Sequence, residues 1–278
     1  SIPSYAFPES AAIALARVTA YGEWKQKPAG TTPALTGVQP ERAKAVVAAA
    51  LQRGGGWLTP AETNELMIAA GIRTAAVRVA STVAQAVDAA ASVGFPVALK
   101  AIGPTLLHKT ERQAVRLNLG TREAVHEAAT DFERRFGGEQ TGFVVQEMVS
   151  GGVEMLVGAL EDPTFGPVVV CGSGGILVDL LADSAFRMHP LTAEDAAEMI
   201  DELKGARLLR GYRGAAPADE AALEDMVLRV SALLTWCPEI QELDLNPVKV
   251  ILKGACAVDA RIRVEPPAAR PTTRRVDY

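Results

Sequence analysis

Near the C-terminal end two short runs alternate apolar and polar residues with a period of two. In Glu242-Leu243-Asp244-Leu245-Asn246-Pro247 the leucines share one side, and Asp244 and Asn246 share the other. In Ala257-Val258-Asp259-Ala260-Arg261, Val258, Ala260 and the following Ile262 oppose Asp259 and Arg261. Each run predicts a strand with one polar face. Between them, Val248 to Cys256 is apolar apart from Lys249 and a Lys253-Gly254 turn signal, so the runs read as the arms of one hairpin. A turn centred on Lys253-Gly254 sets Asp259 opposite Val248 and Arg261 opposite Asn246. Asp259 then becomes the diagonal neighbour of Asn246, roughly 7–8 Å away. Oxygen donors at that spacing suit a bridging hard dication, which takes its ligands at about 2.0–2.1 Å and commonly shares one or two carboxylates with nucleotide phosphates. An ordinary hairpin with an exposed polar face is the competing reading.

Upstream, Ile13, Leu15, Ala16 and Val18 recur at near-helical spacing after Pro8, predicting a short helix over 9–25 with no domain around it. Residues 27–40 are rich in Pro, Gly and Thr and read as a linker. A helix over 41–53 ends at Gly54-Gly55-Gly56. No Gly-Lys-Ser/Thr follows these glycines, so they are a hinge or helix cap and not a phosphate loop. Thr59-Pro60-Ala61-Glu62 is a capping box for a helix that Gly71 stops, and Arg73 to Ala80 alternates as a strand. Thr82 and Gln85 predict a second capping box, with a helix to Gly94. Strands over 95–100, 114–119 and 142–149, with a helix over 122–136, continue a strand–helix–strand order that marks the α/β class. The remainder is strand-dense, with 153–160, 167–171 and 176–181 in quick succession. Helices after Thr192 and over 219–236 then lead to the hairpin. The expected organisation is a tail of a preceding domain over 1–27, a linker and helix over 28–56, the main domain over 57–265, and a Pro/Arg tail over 266–278.

The 278 residues, 49% of them hydrophobic, are enough for a real core. A 5% aromatic content and a net charge of −5, with Lys and Arg scattered, argue against nucleic acid or a membrane surface as partner. An anionic ligand therefore needs a local cation or a metal. Cys171, Cys237 and Cys256 are odd in number and sit in apolar surroundings, which points away from disulfides and zinc and towards a reducing cytoplasm. No apolar run nears the ~20 residues of a membrane span, and no signal-peptide pattern opens the chain. The first residue is Ser1, so a processed or partial chain is expected.

Several side chains stand out against this frame. Lys100 closes the apolar run Val97-Ala98-Leu99, where it is either a strand-end lysine or a partner for an anion. Glu154 sits inside Val153–Val157 and would face inward or line a cleft. Val144-Val145-Gln146-Glu147-Met148-Val149 runs from apolar to polar, as at an edge where a purine takes backbone hydrogen bonds. Gly172-Ser173-Gly174-Gly175 lets backbone amides approach a phosphoryl group, although such a turn is weak evidence by itself. Arg187 and His189, following Asp179 and Asp183, read as a cleft rim. His108 lies in a loop between strands without a catalytic serine pattern or a second histidine nearby, and His126 reads as a surface residue of a helix.

In order, Gly94-Phe95-Pro96-Val97 to Lys100, Leu107-His108-Lys109-Thr110, Gln146 to Val149, Gly152-Val153-Glu154, Asp162 to Pro167, Gly172 to Gly175, Gly211-Tyr212-Arg213-Gly214 and Glu242 to Pro247 resemble the ATP-grasp domain of the NDP-forming acyl-CoA synthetases, relatives of succinyl-CoA synthetase. The resemblance covers 57–265, and 5–27 look like the end of the CoA-ligase domain that precedes it in fused members. It implies two lobes clasping ATP or ADP with Mg²⁺. Asn246 and Asp259, with Asp244 alongside, would hold the metal. Lys100 would meet the phosphates, and Gln146, Glu147, Met148 and Val149 would form the adenine hinge. Glu154, Gly174, Gly175, Arg187 and Arg261 would line the nucleotide site. His108 would relay the phosphoryl group through phosphohistidine to a CoA-binding domain or alpha-type subunit that handles a small carboxylic acid. Imidazole is a competent nucleophile near neutral pH. One departure stands out: the family commonly follows the histidine motif with an acidic residue and a Gly-Gly-Val, whereas Glu111-Arg112-Gln113-Ala114-Val115 has no glycine. It keeps open a silent regulatory nucleotide-binding module as the alternative. A ligase serving an amine nucleophile is a further rival, disfavoured by residues 5–27.

Overall fold

In the computed structural model, which describes residues 3–26, 30–103, 113–175 and 182–266, the chain builds two sheets, each covered by helices on one side. His108, Glu111, Arg112, Asp179, the expected 176–181 strand and the tail from 267 on lie outside the described residues. In order, the elements are α1 (Pro8–Gln26), α2 (Pro40–Gln52), β1 (Gly56–Trp57), α3 (Pro60–Ala70), β2 (Val77–Ala80), α4 (Val83–Val93), β3 (Val97–Ile102), β4 (Val115–Leu119), α5 (Arg122–Phe136) and β5 (Gly142–Glu147). There follow β6 (Val153–Asp162), β7 (Gly166–Ser173), β8 (Ser184–Met188), α6 (Ala193–Asp201), α7 (Ala206–Leu209), α8 (Glu220–Trp236), β9 (Ile240–Val250), β10 (Ala255–Ala257) and β11 (Ala260–Val264).

Among the described residues, β1-β11-β9-β6-β7-β8, with β10 also on β9, make a seven-stranded sheet, and β2-β5-β3-β4 a four-stranded one. Every named pairing is antiparallel. Period-two alternation gives each sheet a dry face and an open face. Met155, Val157, Leu243, Leu245 and Ile262 of the large sheet are buried in one core with residues of α2, α3, α6 and α8. Val97, Leu99, Phe143 and Val145 of the small sheet are buried in a second core with Val125 and Phe132 of α5 and Ala86 and Ala90 of α4. Two cores make two lobes.

The helix signals act as read. Thr59 caps α3 with the reciprocal Glu62 bond, and Gly71 ends it in the left-handed conformation. At α4 Thr82 accepts from the Gln85 amide, while the Gln85 side chain accepts from the Ser81 amide and not from that of Thr82, so the expected box is displaced by one residue. The expected 73–80 strand is divided. Arg73 to Ala75 bond to Ala257 of the large sheet, and only Val77–Ala80 joins the small one, so this segment carries the chain from one lobe to the other. Residues 30–52 pack on the large lobe. Ala43, Val47 and Ala50 of α2 are buried in the large core, and the carbonyls of Thr31 and Thr36 accept from Ala193 and Arg229. By contrast, α1 has no buried residue; Phe7, Leu15, Val18 and Trp24 are all exposed.

Candidate functional site

The hairpin forms, with a shifted register. Ala255 pairs with Val250, Ala257 with Val248, Ala260 with Leu245 and Arg261 with Asp244. The turn is centred on Leu252-Lys253, because Ile251 bonds to the Gly254 carbonyl and Gly254, at φ +95°, takes the left-handed position. This moves the register by two residues from that expected. An even shift by itself leaves side chains on their faces, and this one brings Asp259 level with Asn246 instead of diagonal to it. Both arms break at the same level: Leu245 and Val248 are both core residues, as are Ala257 and, at its edge, Ala260. Val258 therefore does not point inward as the alternation predicts; Ala257 takes that place.

The paired irregularity leaves a small polar cleft of about 260 Å³ lined by Asp244, Asn246, Asp259, Ala260 and Arg261. Burial pushes the Asp244 carboxyl above the ordinary aspartate range; Arg261 opposes this, and Asp259 and Glu242 add to it. A cation here would relieve that crowding. The donors are two carboxylates and an amide, all hard oxygens, and they fit Mg²⁺. Among the described residues no group of three or more His, Cys, Asp or Glu is placed to hold a metal, so this set suits an ion whose shell is completed by water and phosphate.

Further along the open face, Glu154 pairs in register with Lys249, and Lys249 Nζ lies 2.8 Å from Glu154 Oε1. Over this pair runs the glycine turn. Gly174 donates to the Glu154 carbonyl at 2.8 Å, and a Cβ there would stand 2.6 Å from the Met155 backbone. A side chain at Gly175 would run into the Glu154 carboxylate. These glycines permit close passage over β6. Lys249 escaped the sequence reading; its signal was a lysine inside Val248-Lys249-Val250-Ile251, the same pattern that singled out Lys100.

On the small sheet, Lys100 pairs with Val144 and Ala98 with Gln146, so Lys100 and Gln146 share the open face. Gln146 is buried, because its side-chain amide donates to the Val258 carbonyl at the broken hairpin arm. That bond places the open face of the small sheet beside the polar cleft lined by Asp244, Asn246 and Asp259. The segment from Glu147 to Val149 is tied down beside it. Glu147 accepts from the Ala76 amide and lies 3.4 Å from Arg73, and Met148 N–H donates to the Pro96 carbonyl; Val149 follows, half-buried.

Arg187 stands apart. It lies two residues from the core residue Ala185 on the helix-covered face of β8, where Glu202, Glu198 and Asp195 of α6 and its C-terminal turn surround it. That face is turned away from the cleft, so Arg187 is an anchor between sheet and helix, contrary to expectation. His189 likewise faces α8, within hydrogen-bonding reach of Ser231 and Thr235. His126 is exposed on α5, as read. Burial pushes the Cys171 thiol to about 12 and that of Cys256 to about 11, which leaves both inert as nucleophiles. No described helix is long and apolar enough to cross a membrane.

The family model of the ATP-grasp domain matches residues 49–264. Acetate–CoA ligase [ADP-forming] I of Archaeoglobus fulgidus is 38% identical over 265 residues, covering 94% of this chain and 38% of its own length. The β subunit of acetate–CoA ligase [ADP-forming] I of Pyrococcus furiosus is 36% identical over 210 residues, 74% of this chain and 90% of the subunit. The chain thus spans well under half of the first relative and most of the second. A structure of acetyl-coenzyme A synthetase 1 from Ca. Korarchaeum cryptofilum, with coenzyme A and Mg-AMPPCP and its phosphohistidine segment pointing towards the nucleotide-binding site, matches with a TM-score of 0.71 at 35% identity, over 80% of this chain and all of that one. The chain belongs to the ATP-grasp domain family, and the relatives it matches include β subunits and longer chains of ADP-forming CoA ligases.

Proposed function

We propose that this chain is the nucleotide-binding part of an NDP-forming acyl-CoA synthetase, holding ATP or ADP with Mg²⁺ and passing a phosphoryl group through His108 to a CoA-binding domain or alpha-type subunit. The observation that carries the reading is the meeting of two open faces at the Gln146–Val258 bond, with Lys100 on one face and Asp244, Asn246 and Asp259 on the other. Lys100 donates to the phosphates, and the backbone of Gln146 to Val149 holds the adenine edge. Asp244, Asn246 and Asp259 hold Mg²⁺, which when bound neutralises charge on the transferring group. Glu154, Gly174, Gly175 and Arg261 line the same side.

An imidazole nitrogen of His108 attacks the γ-phosphorus, its bond to the bridging oxygen breaks, and ADP leaves with that electron pair. The N–P bond then breaks as a carboxylate oxygen of a small acid on the partner takes the phosphoryl group, regenerating the imidazole and giving an acyl phosphate, and the CoA sulfur attacks its acyl carbon, breaking the C–O bond and releasing inorganic phosphate. The exposed large apolar residues of α1, Ile13, Leu15, Val18 and Trp24, support its assignment to a preceding CoA-ligase portion. The match to the fused Archaeoglobus fulgidus relative, which covers more of this chain than the match to the separate β subunit, supports it too.

Incubation with γ-labelled ATP and Mg²⁺, with and without a CoA-ligase partner, tests the reading. The expected product is an acid-labile, base-stable label, lost in His108→Asn while nucleotide affinity is kept. Binding without label under either condition would instead favour a silent regulatory module.

A further inference from the structure

A buried carboxylate on the helix side of the large sheet has no part in the scheme above. Asp183, 7% exposed at the entry to β8, receives three hydrogen bonds: from Ser173 Oγ at 2.6 Å, the Lys204 amide at 2.8 Å and the Gly205 amide at 2.8 Å. Its carbonyl accepts from the Ser173 amide at 2.9 Å, so Ser173 is held at both ends. Gly205 is packed so closely that a side chain there would run into Ser173 Oγ. Burial opposes the charge, yet the Ser173 hydroxyl and the two amides outweigh it and hold the carboxyl below the usual aspartate range. A fully satisfied, ionised group of this kind fixes its donors far more sharply than an apolar side chain of the same size.

What Asp183 fixes is the start of the glycine turn. Ser173 leads straight into Gly174, which donates to the Glu154 carbonyl, and Gly175, which lies against the Glu154 carboxylate. Glu154 in turn pairs with Lys249 on the open face. The geometry points to Asp183 as a positioning residue of the nucleotide cleft: by pinning Ser173 to the turn before α7 it sets the height of Gly174-Gly175 over β6, and through them the placement of the Glu154–Lys249 pair. This inference rests on the nucleotide reading of the cleft.

The test is titration of the whole chain with Mg·ADP, together with single-turnover label transfer from Mg·ATP, for the parent, Asp183→Asn and Ser173→Ala. Loss of charge-assisted bonds at Asp183→Asn is expected to weaken Mg·ADP binding roughly tenfold, and Ser173→Ala about threefold. Transfer at saturating nucleotide should stay within about twofold of the parent, because no reacting group is touched. A merely structural role would lower the folded fraction, read from the titration stoichiometry, and leave the Kd of the folded molecules at the parent value; that result overturns the inference. If Asp183→Asn does not fold, Ser173→Ala decides alone by the same criterion. Failure of the parent itself to bind Mg·ADP would overturn the nucleotide reading, and this inference with it.

Discussion

The two open faces differ in what they offer a ligand. On the small sheet the face is largely apolar, with Val77, Val79, Ala98 and Val144 around Lys100 and Gln146. On the large sheet the corresponding surface carries Glu154, Lys249, Asp244, Asn246 and Arg261, with Asp259 beside them at the break. An apolar wall with few polar groups suits a planar base, while hard oxygens and mixed charge suit a metal and phosphates. On the proposed function, base recognition and charge handling would rest on separate cores, so either should be able to fail while the other persists.

Phe132→Ala is the strongest way to break that separation. Phe132 is fully buried in the small core, and its truncation should cost about 3–5 kcal/mol. Hydrogen exchange should then quicken in β3 and α5 while β9 keeps its protection; equal loss in both lobes would show one cooperative unit. Next, Asp259→Ala should lower Mg²⁺-dependent label transfer by roughly a hundredfold or more. Metal-free ADP binding should hardly move, and a parallel fall in it would put the metal and base functions on one face. Smaller again, Lys100→Met should weaken nucleotide binding about tenfold at every Mg²⁺ concentration. A deficit that disappears at high Mg²⁺ would move Lys100 to the metal side.

The smallest effect sharpens the comparison through pH. Hydrogen bonds from Arg53 and then from the Thr59 amide hold the Glu62 carboxyl well down, from 4.5 to about 2. Its contribution is therefore complete above about 4.5 and fades as pH falls towards 2. Glu62→Gln should cost about 1 kcal/mol at neutral pH and nothing near pH 2, measured by denaturant titration, with the loss confined to the large lobe that contains α3.

Much of this was legible in the chain. The alternation of Leu243/Leu245 against Asp244/Asn246 put the polar pair on one face, and an even register shift could not undo it. Thr59 and Glu62 announced α3 because a capping box is satisfied within four residues. Other features were hidden because their causes lie far along the sequence. Residues 30–38 have a linker's composition, and contacts from far along the chain, among them the carbonyl bonds to Arg229 and Ala193 and the Thr31 amide bond to Glu194, make them structure. Arg187 looked like a cleft cation until its parity with Ala185 and the carboxylates of α6 placed it on the covered face.

The sequence by itself determined which residues alternate, where helices start and stop, and which oxygen donors share a strand face, since these follow from periodicity and bonds closed over a few residues. Only the tertiary structure decided that Asp259 stands level with Asn246 at one cleft, that Gln146 reaches Val258 from the other lobe, and that Lys249 meets Glu154. Each of these depends on where a turn closes or on how two separately buried cores are set side by side. Such long-range placements are fixed by packing, and local pattern carries no record of them.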